Sequence, residues 1–374
     1  MINKKRMIRN FIDLVKIDSV SGKEKQVAHF LNRELKKLGA KTFFDGAAKK
    51  ASSNCGNLIG KFKGDKTLPP FLLSAHMDTV PGGEGINPIV KKDRITSSGN
   101  TILGADCKSG IAVILEVLSV LKEKRINHPP IETVFSVCEE IGLLGAKFLD
   151  YSKIKARYGL VFDSEKPINE VVTNSPATDK IEIEIYGKAA HAGVCPEKGI
   201  SAIKIASQVI SQMKLGRIDN ETTANIGIIK GGEATNIITP VVKMVGEARS
   251  HKLYKLNKQT KHMKDCVEKV VSKYRNGSKS RYLFIKNRSF ANLCIEKSNP
   301  VLESLKKSMT EKGMKMKTVV SGGGTDANIF YGHNIKTPIL ATGMRDVHTP
   351  NEYLLLNEFF ACAELTLKTI ITTK

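Results

Sequence analysis

The chain has no tryptophan, and aromatic residues of any kind make up only 6% of it. Binding single-stranded nucleic acid takes aromatic platforms laid along a basic groove. The scarcity therefore tells against a specific nucleic-acid partner, despite a formal net charge of +22. The lysines are spread along the whole chain rather than gathered in blocks. Such a charge speaks to solubility and non-specific binding rather than to fold, and it is read as a lysine-rich solvated surface. The seven cysteines, at 55, 107, 138, 195, 266, 294 and 362, contain no CxxC pair. That excludes a disulfide framework and a structural zinc knuckle, and it fits a reducing compartment. No run approaches the roughly 18 apolar residues of a membrane span. The opening "MINKKRMIRNFIDLVKID" lacks the apolar core and cleavage site of a signal peptide. A cytoplasmic protein with no membrane partner is expected. Internal repeats and low-complexity linkers are absent as well.

What is present comes in two textures. Single cores stop growing near about 250–300 residues, so 374 residues call for more than one domain. In "SGKEKQVAHFLNRELKKLGA", Ser21 and Glu24 have the spacing of a capping box, Val27, Phe30, Leu31, Leu35 and Leu38 mark one helix face, and Gly39 supplies the stop. Short apolar runs without alternation follow at 57–62, 70–75, 131–137 and 159–163, as strands buried on both faces would have. Between the second and third lies a buried helix, "SGIAVILEVLSVLKEKR". Strands alternating with helices predict an α/β layered domain. From about residue 177 the pattern changes. "DKIEIEIYG" alternates strictly, as a half-exposed antiparallel strand does. Helices at 200–215 and 254–274 and further strands, the last at 280–287, complete an α+β module. From about 294 the first texture returns, with a helix at 299–312, the glycine-rich "SGGGTDAN", the apolar "TPILAT" and a terminal helix from about 352. The expected organisation is a mixed-sheet α/β catalytic domain in two parts, 1–176 and 294–374, interrupted by an inserted α+β domain at 177–293.

Chemistry-bearing residues share one position, the end of an apolar run. His76 and Asp78 follow the first in "LLSAHMDTV", Asp106 precedes the buried helix in "LGADCKSG", Glu139 and Glu140 end "FSVCEEIG", and Asp163 ends "LVFDSE". In open α/β sheets ligands bind outside the carboxyl ends of strands. Each residue alone has a plain reading: a structural histidine, a helix cap, solvated loop charges, a turn. Together, five carboxylates and a histidine in one cleft need a neutralising cation. Imidazole with carboxylate suits zinc, manganese or cobalt. His348 in "GMRDVHTPNE" offers a second imidazole. His29, His128, His251, His262 and His333 are left as structural or surface residues, and Cys107 and Cys138 are expected to face the core.

At this point the residues resemble the M20 co-catalytic metallopeptidases. "SAHMDTVP", "GADCKSGIA", "SVCEEIGLLGA", "VFDSE", "GKAAHAG", "GGEATNIIT", "SGGGTDAN" and "GMRDVHTPNE" match that family's motifs in order over nearly the whole chain. "GGGTDAN" and Asp163 look most like its peptidase T-like members. The resemblance implies a zinc-exopeptidase fold with an inserted lid and dimerisation domain. It implies two divalent ions per subunit, zinc first, with cobalt or manganese as alternatives. It makes Asp106 the bridging ligand, His76 and Asp163 the ligands of one ion, and Glu140 and His348 those of the other. Asp78 would orient His76, and Glu139 would be the general base. His191 would reach a neighbouring subunit's site and stabilise the oxyanion, while Asn236 and Arg249 would bind substrate. Arg249 can equally be an ion pair at its strand end. Gly322, Gly323 and Gly324 would let backbone approach the substrate, with Thr325 and Asp326 fixing the loop. The expected activity is hydrolysis of small peptides by a homodimeric aminopeptidase. The alternatives are an N-acyl-amino-acid amidohydrolase of the same fold and, from another class, a non-catalytic or nucleic-acid-binding protein.

Overall fold

The computed structural model describes residues 1–274 and 281–373, which fall into two compact units. One gathers Met1–Asn174, Cys294–Ser321 and Thr325–Lys374; the other is Ser175–Leu293 with Gly322–Gly324.

In the first unit five strands lie in the order Lys41–Phe44, Leu58–Phe62, Ile131–Ser136, Phe71–His76, Tyr158–Val161. The last three are mutually parallel and the first two antiparallel. Every residue of Phe71–His76 and Ile131–Ser136 is buried, which is why those runs show no polar alternation. Leu72 and Leu73 are fully buried, and each such side chain contributes about 1.5–3 kcal/mol relative to exposure. The helix Ala105–Glu123 is buried from Ala105 to Leu121. Asp106 and Cys107 depart from helical angles, so the regular helix starts after them. Because those last three strands are parallel, His76, Glu139, Glu140 and Asp163 all leave the sheet at its carboxyl edge.

Two local expectations differ from the structure. Ser21 and Glu24 do not form a capping box: the helix is Lys25–Leu38, and Glu24 at its N-cap makes no side-chain cap bond. Both side chains are engaged elsewhere: Glu24 accepts from Ser53 Oγ and the Cys138 N–H, and Ser21 Oγ donates to Asp78 Oδ2 at 2.6 Å. The stop is as expected, with Gly39 at φ 100°, a conformation that favours glycine. "TPILAT" makes only isolated bridges, from Ile339 to Val161 and Val172. The terminal helix is Leu356–Thr372, preceded by the strand Tyr353–Leu355. That strand pairs with Arg94–Ser97, a partner that the local sequence does not display.

The second unit is an antiparallel sheet in the order Gly216–Asp219, Thr222–Gly231, Val241–Ser250, Ala177–Tyr186, Arg281–Phe290. Ile181, Ile183 and Ile185 are buried in one core with Val209 of the helix Ala202–Gln212 and Met263, Val267 and Val270 of the helix Leu253–Ser272. On the opposite face Glu182 pairs with Lys180, and Glu184 with Lys243. Ser280, the first residue of the strand expected at 280–287, lies outside the described residues. Among those described, no helix is long and apolar enough to cross a membrane.

Candidate metal centre

His76 closes its strand and is 2% exposed. Its Nδ1 lies 2.9 Å from the main-chain carbonyl of Asp78. A carbonyl only accepts, so the proton belongs on Nδ1 and Nε2 presents a lone pair. That Nε2 faces Asp106 Oδ1 at 3.0 Å. Two acceptors do not hold each other; a proton or a cation must lie between them. His348 repeats the arrangement on the other oxygen, with Nε2 3.1 Å from Asp106 Oδ2 and 3.0 Å from Glu140 Oε1. Both oxygens of one carboxylate thus face an imidazole.

The electrostatics describe the same deficit of positive charge. Burial pushes the carboxyl of Glu139 well above its ordinary range, and the charge of Asp163 adds to the shift. Burial and then Asp106 do the same to Asp163, and burial raises Glu140. Burial would also raise Asp106, but hydrogen bonds with His348 and His76 carry it below the usual range. Those with Asp106 and Glu140 lift His348 to about 10. The nearby Lys108 is buried and gives its Nζ to the carbonyl of Ile17 at 2.8 Å. Candidate ligand atoms of His76, Asp106 and Asp163 lie within 4.8 Å of one another, as do those of Asp106, Glu140 and His348. Imidazole and carboxylate around a shared aspartate make a donor set that fits two divalent cations. Cys107 belongs to the first group by distance. Burial raises its thiol well above the ordinary value, and Sγ–H donates to the Phe162 carbonyl, so it is no thiolate ligand.

The turn after Ile131–Ser136 separates its two glutamates. Cys138 takes the left-handed conformation at φ 51°, a strain of about 1–3 kcal/mol that surrounding contacts must over-determine. Asp78 supplies two of them, accepting the N–H of Glu139 at 3.0 Å and of Glu140 at 3.1 Å. Past the turn, Glu140 reaches His348. The Glu139 carboxylate is 7% exposed, and no hydrogen-bond partner faces it among the described residues. Asp78 therefore holds the turn with its side chain. Its carboxylate is 3.5 Å from His76 Nδ1, so its carbonyl orients the ring.

A model of the family described as Peptidase family M20/M25/M40 matches residues 72–372. The chain belongs to that family. It is 40% identical to the YqjE protein of Bacillus subtilis over 370 residues, 99% of each chain. Among solved structures it resembles the aminopeptidase PepT of Bacillus cereus, with a TM-score of 0.91, 39% identity, and coverage of 100% of this chain and 99% of that one. It also resembles a tripeptidase of Staphylococcus aureus, with a TM-score of 0.94, 37% identity and full coverage of both chains.

Two residues of this M20 peptidase had no functional reading from sequence. Glu352, 1% exposed, accepts the N–H of Leu103 at 2.7 Å, of Gly104 at 2.8 Å and of Asp106 at 3.0 Å. Glu24, fully buried, accepts the N–H of Cys138 at 3.0 Å. The signal for Glu352 was its place four residues after His348. Glu24 carried none beyond its misread capping pattern. Asp326 was expected only to fix its loop. It takes the hydroxyl of Ser136 on Oδ2, while its buried Oδ1 has no hydrogen-bond partner among the described residues, and burial lifts its carboxyl to about 6.

The remaining expected residues divide. In the second unit His191 bridges Ile237, and Ala192 N–H donates to the Asn236 carbonyl at 2.8 Å, so exposed His191 and Asn236 become neighbours. Arg249 forms a two-pronged pair with Glu247, at 2.8 and 3.1 Å, and reaches the carbonyl of Gly322 at 3.3 Å. The side-chain space at Gly324 is filled by the ring of Phe290, 2.2 Å from an ideal Cβ. In the first unit Thr325 caps the helix Asp326–Gly332 in a capping box with Asn328.

Proposed function

We propose that this M20 peptidase releases the N-terminal residue from small peptides, tripeptides foremost, using two divalent ions, zinc first, with cobalt or manganese as alternatives. One observation carries the reading: each oxygen of Asp106 faces a different imidazole, the pattern a bridging ligand requires. His76 and Asp163 would complete one site, and Glu140 and His348 the other. Ions bound there polarise the scissile carbonyl and make water acidic enough to ionise near neutral pH. Glu139 is the base: buried among carboxylates and engaged by no partner, it takes a proton from the attacking water and returns it to the leaving amine. His191 donates to the developing oxyanion. Asn236 and Arg249 bind the substrate backbone and carboxylate, Glu247 being the guanidinium's partner until substrate arrives. Gly324 lets backbone approach the substrate, and Thr325 fixes its loop. The likeness to PepT and to the tripeptidase supports aminopeptidase chemistry. Homodimerisation through the second unit would bring His191 to a neighbouring site. Seven free cysteines fit a cytoplasmic setting.

The test is a panel of free tripeptides, dipeptides and N-acyl amino acids, given to protein reconstituted with zinc, cobalt or manganese. Tripeptides should be cleaved fastest; preference for N-acyl amino acids would establish the amidohydrolase reading instead. Glu139→Gln should keep two metal equivalents and lose about 10²–10⁴-fold in kcat. An unchanged rate would remove Glu139 as the base.

A further inference from the structure

Glu24 lies 115 residues before the glutamate proposed as the base, on the N-cap of a helix that contributes no ligand. Yet its carboxylate is fully buried, and its oxygens divide their work. Oε1 accepts the N–H of Gly22 at 2.8 Å, the N–H of Cys138 at 3.0 Å and the thiol of Cys138 at 3.3 Å. Oε2 accepts the hydroxyl of Ser53 at 2.5 Å. No lysine or arginine forms an ion pair with it among the described residues, so these donors are its stabilisation. Burying a carboxylate is costly unless its acceptors are filled, and an exposed helix cap would have been the cheaper use of the residue.

The recipient explains the expense. Cys138 is the left-handed residue that turns the chain out of its strand and sets the directions of Glu139 and Glu140. Asp78 pins the two amides after it, and Glu24 pins its own. Three successive N–H groups are thus held by two buried carboxylates from different parts of the chain. We propose that Glu24 is a positioning residue for catalysis, holding the Cys138 peptide so that the Glu139 carboxylate stays at the reacting water. The inference rests on the assignment of Glu139 as base. A base displaced by about 1 Å loses on the order of 10²-fold in rate, while ligands anchored on the Phe71–His76 strand and the Ala105–Glu123 helix are untouched.

The test uses zinc-loaded full-length protein and three variants, with the tripeptide cleaved best. Glu24→Ala removes the acceptors, and Glu24→Asp draws them back by one methylene. Each should lower kcat about 100-fold, with KM within about threefold, two zinc equivalents retained, and faster amide hydrogen exchange across 137–141 but not across 103–110. Glu24→Gln should recover to within about tenfold of the parent rate. Its amide oxygen can take the same N–H groups, and Ser53 can rotate to accept from the amide nitrogen. Full rate in Glu24→Asp, loss of zinc in either truncation, or a Glu24→Gln enzyme as slow as Glu24→Ala overturns the proposal. Failure of both truncations to fold overturns it too, since Glu24 would then serve the fold at large. Full rate in Glu139→Gln would fail the base assignment separately, whatever Glu24 does.

Discussion

Two regions of this M20 peptidase are rich in carboxylates, and they satisfy them in opposite ways. On the outer face of the second unit's sheet, Glu182, Glu184 and Glu247 stand beside Lys180, Lys243 and Arg249, and every one of these side chains is at least 24% exposed. Water and salt screen such pairs, and they add little to stability. At the carboxyl edge of the first unit's sheet, Asp78, Asp106 and Glu139 are buried; Asp78 accepts backbone N–H groups and a hydroxyl, Asp106 faces two imidazoles, and Glu139 has no hydrogen-bond partner among the described residues. Screening cannot help there. The first region needs nothing beyond solvent; the second is complete only with added positive charge, so a cation belongs to its structure as well as to its chemistry.

The widest gap between the regions should come from Asp106→Asn. With one oxygen of the shared carboxylate replaced by an amide nitrogen, only one imidazole still faces an oxygen, and the bridge between the two is broken. Both ions should be lost on dialysis and hydrolysis should fall to background. Full metal content by atomic absorption would break the contrast, since Asp106 would then be no more than a buried polar residue.

A second expected effect is on stability against pH. In metal-free protein Glu139, Glu140 and Asp163 have raised folded-state pKa values, burial being the main cause. Their stabilising contribution is complete below the unfolded values near ~4 and is lost as pH rises through the folded ones. His348 acts in the same sense, its contribution being lost as pH rises through about 10. Asp106 acts in the opposite sense, but its lowered pKa matters only in acid. Metal-free protein should therefore lose stability as pH rises above the unfolded carboxylate values of about 4, and the zinc-loaded Tm should pull away from it as pH rises. A gap that narrows as pH rises would contradict the electrostatic account.

Glu352→Ala should act more mildly. The ligands remain, but the amides of Leu103, Gly104 and Asp106 lose their acceptor. Zinc affinity should fall about 10–100-fold, measurable by competition with a chelator. An unchanged affinity would mean that the loop carrying Asp106 holds itself.

What sequence could show follows the same divide. His76, Asp106, Glu139, Glu140 and Asp163 were legible because each ends an apolar run or opens a helix, and parallel strands send such ends to one edge. His348 was offered by its motif as a second imidazole, whereas the separate roles of the two glutamates came from family resemblance alone; in the structure it is Glu140 that contacts His348. Glu24 and Glu352 were not legible. Each acts on backbone more than 100 residues away, and a backbone amide leaves no mark on sequence. Local spacing even misdirected, because the pattern Ser21-x-x-Glu24 is shared by a capping box and by this tertiary clamp. The small strands Pro88–Val90 and Arg94–Ser97 escaped as well: they pair with each other, and the second also with the distant Tyr353–Leu355.

The smallest effect is expected on the exposed face, and it tests the comparison from its other side. Lys243 donates to Glu184 at 2.7 Å, but the lysine side chain is 63% exposed. Fixing two mobile side chains in one geometry costs entropy that offsets much of the screened attraction. Lys243→Met should therefore move Tm by less than about 2 °C and leave peptide hydrolysis unchanged. The shift should shrink further in high salt, where exposed pairs are screened. A large, salt-insensitive loss of stability would show that this face is shielded from water, and the two regions would then differ in degree rather than in kind.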